Sequence, residues 1–362
     1  MKSILLASAS IVAFAGAAAA EVSFGGEATL GYNDTAEGDN DGFYWDANLA
    51  VTLSQALNTG LTAKATFDFD VADHDNGSDL VSGGYLLELA SENSSLQFGD
   101  VEYAAISVWN TAGAWLIEDD FSEVDGETVL RGNVNYNGVD ARISYLVADP
   151  DGNEYDDLEQ LSLGAKAAFG NFNLALAYQD ESPAAVGRDL HPEEVFGLTA
   201  GTTFGGATVV LSYANNLTDE EDSIGLSVAY PVGPLSLRGW VASNSVNDDL
   251  SYGLRAIYSA DAFSVTANVE SRGDVDPIRW NLEGSYNVGN GITAYAGILG
   301  RDVWSDEVYY VAGEMDLGNG AALLVSYADA DAAGTSAGYI NDDEVGAREY
   351  QVGLTAEVSF TF

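Results

Sequence analysis

Cysteine is absent from all 362 residues, so no disulfide staples the fold and no thiolate holds a metal. Histidine occurs only at His74 and His191, which leaves little for base-driven catalysis. Proline is scarce, at six residues. Beyond the first twenty residues no stretch keeps eighteen apolar residues in succession, which excludes a membrane-spanning helix there. Cations are few as well: twelve Lys and Arg stand against 57 Asp and Glu, a net charge of −45. That balance speaks against nucleic acid, or an anionic lipid surface, held through a basic patch.

What is abundant points to strands. Hydrophobic residues make up 47% of the chain, with 19 Tyr, 14 Phe and 40 Gly. An aromatic- and Gly-rich, Pro-poor composition favours β-structure. The first twenty residues stand apart. Lys2 precedes an apolar run from Ile4 to Ala15, and Ala17 to Ala20 offers a small-residue cleavage site before Glu21. This reads as a secretory signal peptide over 1–20, leaving 21–362 as the mature chain. Loss of Lys2 leaves eleven cations against 57 acids, a net charge of −46.

Alternation with a period of two runs through the mature chain. Leu354, Ala356, Val358, Phe360 and Phe362, preceded by Tyr350 and Val352, fall on one face; Gln351, Gly353, Thr355, Glu357, Ser359 and Thr361 fall on the other. The same split places Val22, Phe24, Ala28, Leu30 and Tyr32 against Ser23, Glu27 and Thr29, and Phe43, Trp45, Ala47, Leu49, Val51 and Leu53 against Asp46, Asn48, Thr52 and Ser54. Most of these runs match the length of a tilted strand that crosses a bilayer, and exceed the strands of a soluble sandwich. Their polar faces carry whole charges, among them Lys64, Arg142, Arg255 and Glu283, which a water-filled lumen accepts and a dry core does not.

Connections alternate between short and long. Nine short turns, such as Asn137-Gly138 and Gly205-Gly206, carry hairpin chemistry, and the others are longer and acidic. The pattern predicts an all-β, antiparallel, up-and-down transmembrane barrel of 16–20 strands, with a literal count of about 20. Its short turns are periplasmic and its long loops extracellular. The first strand begins so close to Glu21 that no N-terminal plug is expected.

Several segments resemble the Gram-negative porins, particularly the alphaproteobacterial type. The opening Glu21-Val-Ser-Phe-Gly-Gly-Glu-Ala-Thr-Leu-Gly-Tyr32 is similar to the family's first strand. Leu96-Gln-Phe-Gly-Asp100 resembles the strand entering the family's third loop, and Val129-Leu-Arg131 the strand leaving it. Phe360 and Phe362, in Val358-Ser-Phe-Thr-Phe362, resemble the C-terminal signal read by the barrel-assembly machinery.

The resemblance implies a homotrimer in outer-membrane lipid and lipopolysaccharide. It also implies a loop, here 107–128, that folds into the lumen and narrows it. This loop is shorter than is usual in the family. It carries Glu118, Asp119, Asp120, Glu123, Asp125 and Glu127. Cations on polar strand faces that could oppose these acids are Lys64, Arg131, Arg142, Lys166, Arg238, Arg255 and Arg279, with Arg272 and Arg301 nearby. Such opposed rows create a transverse field that favours small polar solutes, and the net charge favours cations.

No catalytic set is expected, because neither His has a Ser nucleophile context. No metal or cofactor is expected either. The acidic runs from Asp73 and Asp149 end on Gly84 and Gln160 where a calcium loop needs Glu, which leaves only loose divalent bridging to lipopolysaccharide. A sugar-specific channel would show an aromatic slide; Tyr44, Trp240, Tyr295 and Tyr310 point inward but sit on scattered strands.

Overall fold

The computed structural model describes residues 20–34, 42–74, 81–149, 154–185, 189–247, 249–273, 278–301, 308–330, 348 and 350–362, and short strand pieces at Ala9–Ser10, Thr335–Ser336 and Tyr339–Ile340. Most of the expected leader, the acidic stretches 75–79 and 150–153, most of 331–346 and the side chain of Arg301 lie outside the described residues.

Twenty strands form the wall. They are β1 Glu21–Asn33, β2 Gly42–Ala56, β3 Thr62–Asp73, β4 Val81–Ala90, β5 Ser94–Gly99, β6 Thr128–Tyr136, β7 Val139–Ala148, β8 Glu154–Phe169, β9 Phe172–Gln179 and β10 Val195–Phe204. The second half comprises β11 Ala207–Asn216, β12 Glu221–Val232, β13 Leu235–Asn244, β14 Ser251–Ala260, β15 Phe263–Arg272, β16 Arg279–Gly289, β17 Ile292–Arg301, β18 Val308–Gly318, β19 Ala321–Asp329 and β20 Gly353–Thr361. Each pairs antiparallel with its neighbours in sequence, and β20 pairs with both β19 and β1, closing the sheet. Closure satisfies the backbone within the wall, as a hydrocarbon surrounding requires. Strand spacing and tilt give a barrel about 40 Å across its backbone.

All nine expected short turns join consecutive strands at one end of the barrel, and the long connections lie at the other. At Asn137-Gly138 both residues have positive φ, 51° and 81°, the geometry of a tight two-residue hairpin. The literal count of twenty was therefore the correct one. Apolar side chains face outward along every strand. Aromatic residues gather near both ends of this surface: Tyr136, Phe169, Phe172 and Phe204 at the turn end, and Tyr32, Phe43, Tyr309 and Tyr327 at the loop end. Phe204 is 83% exposed and Tyr136 79%, a placement that suits an interfacial girdle and no aqueous surface.

Facing assignments fail at the start of the last strand. Tyr350, and Val352 packed against the same inner cluster, do not continue the outward row of β20. That strand begins only at Gly353, where φ is 91°, and the chain before it turns inward. Tyr350 is buried against Tyr310, with ring centroids 4.8 Å apart.

Candidate functional site

The 100–127 connection between β5 and β6 folds inside the barrel and runs along one side of the wall. It starts earlier than the sequence pattern placed it, at Asp100, because β5 stops at Gly99 after six residues. Hydroxyls on the wall take its main chain in order. Ala104 N–H donates to Ser144 Oγ on β7 at 2.8 Å, and Ala105 N–H to Ser162 Oγ on β8 at 2.8 Å. Thr199 on β10 donates to Asn110 O at 3.1 Å, and Ser227 on β12 to Ala112 O at 3.1 Å. Ile117 N–H donates to Asn244 Oδ1 on β13 at 3.0 Å. Farthest out, the Arg272 guanidinium of β15 lies 3.4 Å from the Trp115 ring centroid. On the way back, Ser122 N–H donates to Gln179 Oε1 on β9 at 2.7 Å.

Close approach needs small inward residues beneath the loop. A Cβ on Gly164 would stand 2.1 Å from Ala104 O, one on Gly197 2.5 Å from the Trp109 ring, and one on Gly225 2.6 Å from Leu116. Between them Ala177, Ala214 and Ala242 are fully buried. These residues sit on successive strands and form a track. Small inward residues at loop level on six successive strands, β8 to β13, were a readable signal for the loop's path that sequence reasoning missed.

The loop acids lie on its returning leg. Glu118, only 5% exposed, has the acids Glu221, Asp120, Asp219 and Asp119 as charged neighbours. Burial first, then these carboxylates, push its pKa up to about 7. Asp119 accepts a 2.7 Å hydrogen bond from the Trp109 indole, yet burial still raises it to about 6. Asp120 faces His191 and Glu193. Glu127 accepts from Asp125 N–H and is buried, while Glu123 and Asp125 are exposed.

The wall cations stand elsewhere, on the turn side of the outgoing leg. Arg131 donates to Gln97 Oε1 at 2.8 Å and Glu102 O at 2.7 Å. Arg142 donates to Asp140 at 2.8 Å and Ser107 O at 3.1 Å, and Lys166 lies 3.6 Å from Asp140. Arg238 approaches Gly113, and Arg255 pairs directly with Arg238 across β13 and β14. Lys64 sits opposite Glu88 on β3 and β4. Arg279 is not a lumen charge at all: it is 1% exposed, and with Arg272 it holds Glu270 at 3.4 and 3.5 Å.

The structure therefore does not set the 118–127 acids against the wall cations. What lies across the barrel from the cation arc of β6–β8 and β13–β14 is a wall where Glu27, Asp46, Asp68, Glu314 and Glu357 occupy inward positions on β1–β3, β18 and β20. Sequence reasoning had seen several of these acids on polar faces without assigning them to the site. It also missed Glu102, which lies beside Arg131 and accepts from Val124 N–H at 3.1 Å. Tyr44 and Tyr310 form no aromatic slide; their hydroxyls donate to Glu357 and Glu283 at 2.8 Å each, and both rings are buried. Ser122 meets His191 only through the His191 main chain, at 2.9 and 3.2 Å.

Residues 7–298 match the family model for Gram-negative porins. No curated protein sequence matches the chain. Among solved structures, two mutants of Rh. blastica porin align over 94% of this chain and 100% of theirs, at 13% and 15% identity, each with a TM-score of 0.49. By the family match over most of its length, the chain belongs to the Gram-negative porins, the channel-forming β-barrels of the outer membrane.

Proposed function

We propose that this porin is a passive channel for small hydrophilic solutes and ions, weakly selective for cations, working without cofactor or catalysis. The observation that carries this reading is the division of the lumen: an acidic wall faces a cationic arc, and the loop lies along the cationic side. Charges of opposite sign on facing walls set up a field across the water column. Such a field orders water and penalises solutes that cannot replace that order with polar contacts of their own. Net charge raises the cation concentration at the mouth.

The remaining assignments belong to the same proposal. Residues 1–20 direct export and are removed. Phe360 and Phe362 are read by the barrel-assembly machinery. Three copies assemble in the outer membrane, and the acidic loops are bridged to lipopolysaccharide by loosely held divalent cations.

Single-channel recording of the refolded mature chain under a salt gradient tests the reading. Large passive steps, in groups of three, with a reversal potential on the cation side are expected. A folded barrel that conducts nothing overturns the channel, and an anion-side reversal potential overturns the selectivity.

A further inference from the structure

Among the described residues, one pair of like-charged cations stands side by side in the wall of the proposed channel. Arg238 and Arg255 occupy directly opposed positions on β13 and β14. Like charges placed so are mutually destabilising. In a chain with twelve cations and 57 acids, an acid at either position would be the ordinary outcome. The nearby wall acids are engaged elsewhere: Glu270 with Arg272 and Arg279, and Glu283 with Tyr310. By contrast Arg131, Arg142 and Lys166 each have a carboxylate, amide or carbonyl oxygen.

The two guanidinium groups also carry N–H groups that no described residue accepts. Among the described residues, Nη2 of Arg238 and Nε of Arg255 are buried without a hydrogen-bond partner. The loop covers Arg238 at Gly113, where a Cβ would lie 1.8 Å from Nη2 and shut this approach. Trp240, the next inward residue on β13, lies flat over Gly253, so an apolar ring rather than a carboxylate borders the pair. Asn268, opposite Arg255 on β15, adds an amide. Both arginines remain partly exposed to the lumen.

We propose that Arg238 and Arg255 together form a binding site for an oxyanion, of the phosphate type, on the channel wall. Two planar forks side by side can each present paired N–H groups to one tetrahedral anion, and the anion relieves the repulsion between them. A channel that is cationic in its bulk preference would then hold a stepping-stone for phosphate and small phosphate esters. This rests on the channel reading above but is tested apart from it.

Inorganic phosphate is the probe. The refolded mature chain in detergent is titrated with phosphate by calorimetry, and its conductance in potassium chloride is followed as phosphate is added. Saturable binding and a saturable fall in conductance are expected. Arg238→Gln and Arg255→Gln each weaken both at least tenfold, and the double Lys variant, which keeps the charge and loses the forks, weakens them severalfold. Three outcomes sink the site: no saturable phosphate binding by the parent chain, saturation retained by the double Gln variant, or a double Lys variant that binds as the parent does. Conductance without phosphate saturation leaves the channel standing and removes the site. Where no conductance is seen, the titration in detergent still decides the site while the channel reading falls.

Discussion

On β7 to β13 the inward positions along the loop are Ser144, Ser162, Gly164, Ala177, Gly197, Ala214, Gly225 and Ala242, whereas β1, β2, β16, β18 and β20 present Glu27, Tyr44, Asp46, Glu283, Tyr310, Glu314 and Glu357. Both halves obey the same alternation, and both face away from lipid. The difference lies in what each inward face meets. One half receives a peptide chain, whose backbone comes close only where side chains are short and whose N–H and C=O groups need hydroxyl or amide partners. The other half meets water, which accepts carboxylates of any size. An inward polar residue therefore has two meanings in such a barrel, and its size separates them.

Overpacking the track breaks that distinction most sharply. Gly197→Leu combined with Gly225→Leu drives side chains into Trp109 and Leu116. At about 1–3 kcal/mol per site, the pair unseats the loop. Higher single-channel conductance and new protease cleavage within 100–127 are the expected readouts; an unchanged channel would show that the track does not seat the loop.

Next comes Arg272→Ala, which removes the stack on Trp115 and one of the two cations on Glu270. A loss of about 0.5–2 kcal/mol from the stack alone frees the far end of the loop. Hydrogen exchange should rise around Trp115 and stay unchanged in β1–β3.

Ser144→Ala orphans the buried Ala104 N–H, at a cost of about 1–3 kcal/mol. The comparison variant on the other half is Tyr44→Phe, which loses one hydroxyl bond to Glu357. Both lower the unfolding midpoint, and only the first should raise current noise from loop motion. Equal noise in the two variants would erase the proposed difference between the halves.

The smallest expected effect is on pH. Glu118, raised to about 7, and Asp119, raised to about 6, hold their protons more tightly when the loop is docked than when it is free. Docking therefore weakens as pH rises from the ordinary carboxylate range through 6 and 7, and levels off above that, where both acids are ionised whether the loop is docked or free. Proteolysis of the loop should be slower at pH 5 than at pH 8, and Glu118→Gln should flatten the Glu118 part of that dependence.

Much of this was legible in the chain itself. Alternation in runs of bilayer-spanning length, as along Phe43 to Leu53, fixed the wall, and Asn137-Gly138 and its eight counterparts fixed how often it turns. These are local signals, set by the two-residue repeat of a strand and by turns that demand positive φ. Tyr350 shows where they stop, since the irregular backbone just before Gly353 was enough to reverse its facing.

The sequence by itself determined the strands, their faces, the hairpin register and the sign of the net charge, because each depends on neighbours within about a dozen residues. Only the tertiary structure decided which inward residues meet one another. Closure brings β20 to β1 and lays residues 100–127 against strands as distant as β15, so that Trp115 finds Arg272 and the acids of Glu118 to Glu127 miss the arginines they were expected to oppose. Those pairings depend on the curvature of the barrel and the path of the loop, and no periodicity along the chain encodes either.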